Sequence, residues 1–364
     1  MIKRTVEISS GPTYLSVKNG QLVIRREREV IGTVPFEDIG IVIVDHPAVT
    51  YTHGVLTSLG RVGAVLVACG ADHHPATLVV PIEGNTLHTE RLRLQVESSR
   101  PCGKRIWQQI VRAKIRAQAA TLGLDNPKYK KLMSLAVEVG SGDPTNVEAQ
   151  AAKIYWQALF PDGTFRRNRD GSPPNNLLNY GYMALRAAVA RAICAAGLHP
   201  SIGFHHRNRY NAFCLADDLM EPFRPLVDAR VRGLWDGGKT DIDRETKTSL
   251  LGVLTETVKT GGESGPLMVA MGKMMASLVR VLVDVGINLS LDGRRQHLVS
   301  APQENLRQDI LGRLLLNFDG ICRTFLHGVS SLQKVTGVLL EHPGYAAFFT
   351  ASSTTFGHIS LLYK

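Results

Sequence analysis

The spacing of apolar residues changes near residue 85, and this change restricts the possible folds of the chain more than any other feature. Before it, residues 14–18 and 21–25 alternate apolar and polar side chains, as strands with one buried face do. Asn19-Gly20 stands between the two stretches and is a strong signal for a two-residue hairpin turn. The first 85 residues are therefore predicted to form mainly strands and turns.

Beyond that point the apolar positions recur at helical spacing until about residue 290. The segment 175–196 shows the pattern clearly and stops at Gly197, which is a normal helix exit. We predict an α+β protein in which a small N-terminal β-rich domain precedes a larger all-α domain, with a C-terminal tail of no assigned role. The predicted boundaries are 1–85, 86–292 and 293–364.

Composition excludes several classes of protein. With 364 residues and 44% apolar content, the chain can form about two domains, each with its own core. Its five cysteines include no CxxC pair, which argues against a disulfide framework and a structural zinc site. The N-terminus lacks the apolar core of a signal peptide, and the apolar stretch 267–289 carries Lys273, Arg280 and Asp284 on one helical face. We therefore expect no membrane span and a cytoplasmic protein.

The net charge of +10 is concentrated in one segment. Residues 101–131 contain eight cations and a single acid, a pattern typical of proteins that bind a polyanion. Arg105, Arg112 and Arg116 follow each other at i, i+7 and i+11, so they share one helix face and could contact a phosphate backbone. The alternative is a solvated helix face with no ligand.

Glu148 is the first candidate site residue. It follows Asp143, a plausible N-cap with Pro144 at the first helical position. Glu148 then shares a helix face with Ala151 and Tyr155, where a carboxylate is poorly placed for mere solvation. The alternative is an ordinary surface glutamate, which is what most helical glutamates are.

Two adjacent histidines, His205 and His206, are flanked by Arg207 and Arg209. This arrangement suits a metal ligand beside cations that bind phosphate. The alternative is structural, with one histidine capping a turn and the other solvated.

Asp218 and Glu221 form the third candidate. A helical turn would bring the two carboxylates together at i and i+3. The alternative is a capping box, which Pro222 disfavours because a residue before proline is pushed out of the helical region. Two acids and one histidine form an O,O,N ligand set suited to Mg²⁺ or Mn²⁺, the cations of phosphodiester chemistry.

Together these segments resemble one family, the adaptation integrase of CRISPR systems (CRISPR-associated protein one). The resemblance covers about residues 1–290, and within the family the amino-acid sequence is most similar to members from type II systems. It is carried by four blocks: GDPTNVEAQAAKIYW at 142–156, LNYGYMALRAAVARAI at 178–193, IGFHH ending at His206, and LADDLMEPFRPLVD at 215–228.

The resemblance implies a catalytic helical domain whose metal ligands are Glu148, His206 rather than His205, and Glu221, with Asp218 as an accessory carboxylate. It implies a homodimer that pairs with the small adaptation subunit (CRISPR-associated protein two). The expected activity joins the 3′-hydroxyls of captured DNA to the CRISPR repeat by metal-dependent transesterification.

Alternative functions use the same residues. One is a transposon-type integrase or a branched-DNA nuclease with the same metal site. Another is a non-catalytic DNA-binding scaffold, which the intact acid set disfavours. The tail lies beyond the resemblance and contains none of the candidate ligands.

Overall fold

The computed structural model describes residues 3–71, 75–161, 163, 165–168, 171–260 and 263–294. The predicted tail, 293–364, therefore lies outside the described residues from 295 onward.

Strands dominate the described residues of the N-terminal part, and helix α1 (His53–Arg61) and a 3-10 turn at Phe36–Asp38 lie among them. The strands are β1 (Arg4–Ile8), β2 (Thr13–Lys18), β3 (Gln21–Arg26), β4 (Glu29–Pro35), β5 (Ile39–Val44), β6 (Val49–Tyr51), β7 (Val65–Cys69) and β8 (Pro75–Val79).

These strands form two four-stranded sheets, with the orders β1-β5-β7-β8 and β4-β3-β2-β6. In the first sheet β5 pairs in parallel with β1 and β7, while β8 is antiparallel to β7. In the second sheet β2 and β3 form the predicted hairpin, with Lys18 opposite Gln21. Asn19 and Gly20 both have positive φ, as the tight turn requires. The predicted hairpin is confirmed.

Strand β5 is buried along its whole length because both of its faces are covered. Val42 and Val44 pack into a core shared with the second sheet. Ile41 and Ile43 point the other way, into the large core formed by the helices. The β-rich part and the helical part are thus joined through one apolar interface.

The second part is predominantly helical. Its helices are α2 (His88–Val96), α3 (Arg100–Leu122), α4 (Tyr129–Glu138), α5 (Val147–Leu159), α6 (Asn175–Ala195), α7 (Cys214–Met220), α8 (Arg224–Asp236), α9 (Arg244–Gly252) and α10 (Leu267–Arg294). No helix within the described ranges is long and apolar enough to cross a bilayer.

Helix α6 lies in the core and is rich in alanine, so neighbouring helices approach it closely. At Gly181 an added Cβ would lie 2.4 Å from Val227 on α8, which only glycine avoids. The helix ends before Gly197, whose φ is +73°, as the sequence predicted. Ser99 is the N-cap of helix α3, and its hydroxyl accepts a hydrogen bond from the backbone N–H of Cys102.

The predicted order, β-rich first and helical second, is confirmed, but the second part is not purely helical. A short hairpin of β9 (Thr257–Thr260) and β10 (Glu263–Pro266) precedes α10. Its β-branched Thr257 and Val258 favour a strand over a continued helix. Local strand propensity therefore overrides the helical trend of the surrounding sequence.

Candidate active site

Glu148 lies in the first turn of α5, and two side chains fix its backbone. Asn146, with positive φ, is the N-cap and accepts from the N–H of Ala149. Asp143, the N-cap predicted from the sequence, lies outside the helix, so that prediction is wrong. Its carboxylate nevertheless accepts hydrogen bonds from the N–H groups of Val147 and Glu148, both at 2.9 Å. Asp143 therefore satisfies backbone donors at the helix start from the preceding turn.

Glu221 lies where α7 meets α8. It begins a 3-10 turn, Glu221–Phe223, and Pro222 follows it directly. One carboxylate oxygen, Oε1, lies 3.0 Å from Nε of Arg224. Asp218 sits inside α7 and does not cap it, so the capping-box alternative is excluded. The turn leaves Glu221 buried and facing α3, against which it packs.

Lys114 of α3 joins the two glutamates. Its Nζ lies 2.6 Å from Oε1 of Glu148 and 2.5 Å from Oε2 of Glu221. The contact to Glu148 is an aligned hydrogen bond, whereas the short contact to the buried Oε2 of Glu221 is less well aligned. The exposed fractions of the side chains are 14% for Lys114, 23% for Glu148 and 6% for Glu221. Among these three side chains Glu148 is the most exposed, and the neighbouring His206 is 40% exposed.

The charges within this group support each other. Burial disfavours the ammonium of Lys114, but Glu221 and Glu148 outweigh it and raise the lysine pKa. Burial likewise disfavours the carboxylate of Glu221, but Arg224 and Lys114 lower its pKa. Glu221 therefore stays ionised in a buried position, as a ligand for a hard cation must.

Asp218 shapes the loop that carries the two histidines. It is fully buried and accepts hydrogen bonds from the N–H groups of Phe204, His205 and His206 at 2.6, 3.0 and 3.0 Å. It also lies 2.7 Å from Nδ1 of His206. When the His206 ring is neutral and Nδ1 donates to Asp218, Nδ1 carries the proton and Nε2 keeps its lone pair.

This arrangement assigns different roles to His206 and Asp218. The hydrogen bond to Asp218 is the main reason that the His206 pKa is raised, and Glu221 adds to it. A carboxylate that orients a metal-binding histidine in this way is a common feature of metal sites. Both carboxylate oxygens of Asp218 accept hydrogen bonds from the loop that carries the histidines. The geometry therefore disfavours the accessory metal contact expected from the sequence and supports a positioning role.

His205 has a different environment. Its ring stacks on Trp107 of α3, with centroids 3.9 Å apart and planes 6° from parallel. Trp107 also contacts His206 edge-on. Burial lowers the His205 pKa. His205 therefore packs against α3, although the charge of Glu148 also acts on it, whereas His206 is held by Asp218 and lies in the field of Glu221. The choice of His206 over His205 stays a prediction.

The predicted ligands are neighbours, but they do not form a closed coordination shell. Among the described residues, no three His, Cys, Asp or Glu side chains are gathered tightly enough to hold a metal as they stand. Lys114 lies in the space between Glu148 and Glu221. Nevertheless, two carboxylate oxygens directed at one cation, one of them less well aligned with it, and a free imidazole nitrogen fit a divalent metal.

The five predicted DNA-binding arginines differ in environment. Arg105, Arg207 and Arg209 are exposed, and the last two lie next to His206. Arg112 is half-buried and donates to the carbonyl oxygens of Val137 and Val139 at the C-terminal end of α4, at 3.3 and 2.8 Å. Burial and the charge of Arg116, which is also half-buried, lower the Arg112 pKa. Arg105, Arg207 and Arg209 are thus the most accessible of the five, although Arg207 donates to the carbonyl oxygen of Phe204 and Arg209 to the hydroxyl of Tyr210.

The sequence also missed a buried network behind the site. Asp228 accepts hydrogen bonds from the hydroxyl groups of Tyr155, at 3.0 Å, and Tyr182. Burial raises the pKa of Asp228 to about 7. Arg224 lies over the Tyr182 ring at 4.8 Å and links this network to Glu221. The sequence feature that could have indicated this network is the pair of tyrosines on apolar helix faces, because a buried tyrosine hydroxyl needs a hydrogen-bond partner.

A protein-family model described as "CRISPR associated protein Cas1" matches residues 6–259. The chain belongs to the Cas1 family. It is 37% identical over 288 residues to the CRISPR-associated endonuclease Cas1 of Neisseria meningitidis serogroup C (strain 8013), covering 78% of this chain and 93% of the relative. The resemblance inferred from the sequence blocks is confirmed.

Solved structures share the Cas1 fold. A casposase bound to its integration product superposes with a TM-score of 0.66 at 19% identity, covering 85% of this chain and 99% of the casposase. A Cas6-RT-Cas1–Cas2 complex gives a TM-score of 0.62 at 17% identity, over 78% of this chain and 35% of the longer one. At these identities the likeness establishes the fold alone.

Proposed function

We propose that this chain is a divalent-metal-dependent DNA integrase of CRISPR spacer acquisition, which joins the 3′-hydroxyl ends of captured DNA to the repeat. One observation carries the proposal. Glu148 and Glu221, from separate helices, direct carboxylate oxygens at one shared cation position, and Asp218 orients the neighbouring His206. The family relationship, with a relative named as an endonuclease, supports a reaction at DNA phosphodiesters.

In this proposal Glu148, Glu221 and Nε2 of His206 hold a magnesium or manganese ion. When bound, such an ion supplies charge neutralisation at the phosphate and activation of the attacking hydroxyl. Asp218 keeps the His206 ring in one tautomer and one orientation. Arg224 anchors Glu221 through the oxygen that faces away from Lys114.

The remaining charges would bind the substrate. Arg207 and Arg209 are exposed directly after His206, and Arg105 is exposed on α3. These cations suit phosphate contacts that hold duplex DNA without reading its sequence. In the transesterification, the new bond forms between the 3′-oxygen and the target phosphorus. The bond to the repeat's own 3′-oxygen breaks, and that oxygen leaves with a proton.

The proposed partners are DNA, a second copy of the chain and the small Cas2-type subunit. The shared fold with a Cas1–Cas2 assembly supports the third.

The test is an integration assay with purified chain, its small partner, a short duplex and a repeat-bearing plasmid. We expect strand transfer with Mg²⁺ or Mn²⁺ and none in EDTA. His206→Ala should abolish transfer, whereas His205→Ala should retain most of it. If His205→Ala is the inactive variant of the two, the histidine assignment is off by one residue. Metal-independent transfer would refute the proposed mechanism.

A second candidate is an integrase that inserts DNA at targets other than a CRISPR repeat. The fold shared with the casposase bound to its integration product favours it. Both candidates use the same site, so the target decides between them. Equal transfer into plasmids with and without the repeat would support this second candidate, whereas insertion confined to the repeat boundary supports CRISPR adaptation. The scaffold alternative predicts no transfer at all.

A further inference from the structure

Lys114 belongs to the basic segment 101–131, and the sequence pattern assigned it no place in the acidic site. We propose that Lys114 is an internal counter-ion that competes with the divalent metal. Its ammonium holds Glu148 and Glu221 together, and it must leave their shared position when a metal binds there. The inference rests on the proposed function, because it takes the two glutamates as metal ligands.

The first step is spatial. The ammonium nitrogen lies 2.6 Å from Glu148 and 2.5 Å from Glu221. Metal–oxygen distances for magnesium are about 2.0–2.1 Å, so an ion bound by the same two oxygens needs nearly the same place. Two cations so close together would repel each other strongly in a site this buried. The lysine and the metal are therefore mutually exclusive at this pair of oxygens.

The second step concerns how the lysine is held. Only the contact to Glu148 is an aligned hydrogen bond. The contact to Oε2 of Glu221 is short but less well aligned, so it depends more on charge and less on direction than the contact to Glu148 does. Arg224 contacts the other oxygen of Glu221 at 3.0 Å and can keep that carboxylate in place after the lysine leaves. The carboxylates of Glu148 and Glu221 can therefore exchange one cation for another and keep their positions.

The third step concerns the exit route. Lys114 has a flexible four-carbon stem on a rigid helix, and Glu148 is the most exposed of the three side chains. The ammonium can therefore move outward past Glu148 toward solvent. Until a metal arrives, the lysine neutralises part of the negative charge that would otherwise repel DNA phosphates.

The direct test is the Mn²⁺ affinity of the full chain, measured by calorimetry, for wild type, Lys114→Met and Lys153→Met. Methionine keeps an unbranched side chain of similar length but carries no charge. Lys153 is exposed on α5, so its variant controls for the loss of one positive charge. We expect Lys114→Met to bind Mn²⁺ about tenfold more tightly. The control should match wild type. Wild-type or weaker affinity in folded Lys114→Met would overturn the proposal.

A measurement on the wild-type protein covers the case in which Lys114→Met does not fold. Lysines are acetylated with and without saturating Mn²⁺, and the extent of labelling is read by mass spectrometry. We expect labelling of Lys114 to rise with Mn²⁺ while that of Lys153 stays constant. Unchanged labelling of Lys114 at saturation would show that the ammonium stays between the acids.

His206→Ala separates this inference from the proposed function. If His206→Ala loses Mn²⁺ binding but Lys114→Met has wild-type affinity, the metal site stands and the competition is refuted. If His206→Ala and Glu221→Gln both bind Mn²⁺ as wild type does, the site itself is misplaced and both proposals fail.

Discussion

Two lysines in this protein are each held between two carboxylates, and they occur in different surroundings. In the open cluster, Lys114 contacts Glu148 and Glu221. In the closed cluster, Lys247 of α9 lies 2.6 Å from Asp45 and 3.2 Å from Glu7. Each cluster combines one aligned hydrogen bond with one less well aligned contact to a carboxylate oxygen. The local bonding is therefore nearly the same.

The surroundings differ. In the closed cluster the exposed fractions are 9% for Lys247, 5% for Glu7 and 1% for Asp45. The ring of Tyr180 lies beneath the ammonium, 5.6 Å from it. The open cluster has a half-buried glutamate at its mouth and an oriented histidine beside it, whose pKa is raised in part by the charge of Glu221. The two clusters therefore differ in solvent access and in the presence of a histidine nitrogen, and not in their ion pairs. These two features distinguish a candidate metal site from an ion-pair cluster with a structural role.

The closed cluster has a clear structural task. Glu7 lies on β1, Asp45 directly follows β5, and Lys247 belongs to a helix of the second part. The cluster therefore joins the first sheet to the helical core, beside the apolar contacts of Ile41 and Ile43. Removing one partner from such a buried group leaves an unpaired charge, which is costly.

The largest expected difference is in catalysis. Glu221→Gln should reduce strand transfer by about 1,000-fold, because the amide cannot supply the charge that a metal ligand needs. Asp45→Asn makes the same chemical change in the closed cluster and should retain activity per folded molecule. The measurement is the integration assay at matched folded concentration. Comparable losses in the two variants would remove the functional distinction between the clusters.

The next difference is in stability. Lys247→Met should lower the free energy of unfolding by about 3–5 kcal/mol, since Glu7 and Asp45 would stay buried without a cation. Lys114→Met should cost about 1–3 kcal/mol, because Glu148 can be hydrated and Glu221 keeps Arg224. Urea denaturation in EDTA measures both. If Lys114→Met lowers the free energy of unfolding more than Lys247→Met does, the structural role belongs to the open cluster and not to the closed one.

Metal binding should stabilise the protein through the open cluster alone. At Mn²⁺ concentrations about 100-fold above the dissociation constant, the free energy of unfolding should rise by about 2.7 kcal/mol. His206→Ala should lose this gain, while Asp45→Asn and His205→Ala should keep it. Thermal denaturation with and without Mn²⁺ provides the comparison. An undiminished gain in His206→Ala would place the metal elsewhere.

The smallest difference concerns DNA affinity. Arg105→Ala, on the helix that carries Lys114, should weaken binding to all duplexes alike and lower the salt dependence by about one unit of log–log slope. Arg244→Ala removes an equally exposed arginine on the helix of Lys247 and should leave the slope unchanged. Titrations over a range of salt concentrations measure both slopes. Identical slopes for wild type and Arg105→Ala would indicate that this helix face is solvated and does not contact DNA.

Features that depend on neighbouring residues were predictable from the sequence. The Asn19-Gly20 hairpin and the end of α6 before Gly197 follow from turn and cap preferences that act over a few positions. The same local preferences also misled in two places. Asp143 satisfies the first turn of α5 without being its cap, and strands β9 and β10 interrupt the helical part.

The sequence alone determined the predicted metal ligands of the candidate site, because the blocks around Glu148, His206 and Glu221 identify the family. Only the tertiary structure decided how they are arranged. It placed Lys114, 34 positions before Glu148, between the two glutamates, and it committed Asp218 to the histidine loop. The reason is physical: periodicity and caps act within a few residues, whereas ion pairs between separate helices depend on how the whole core packs.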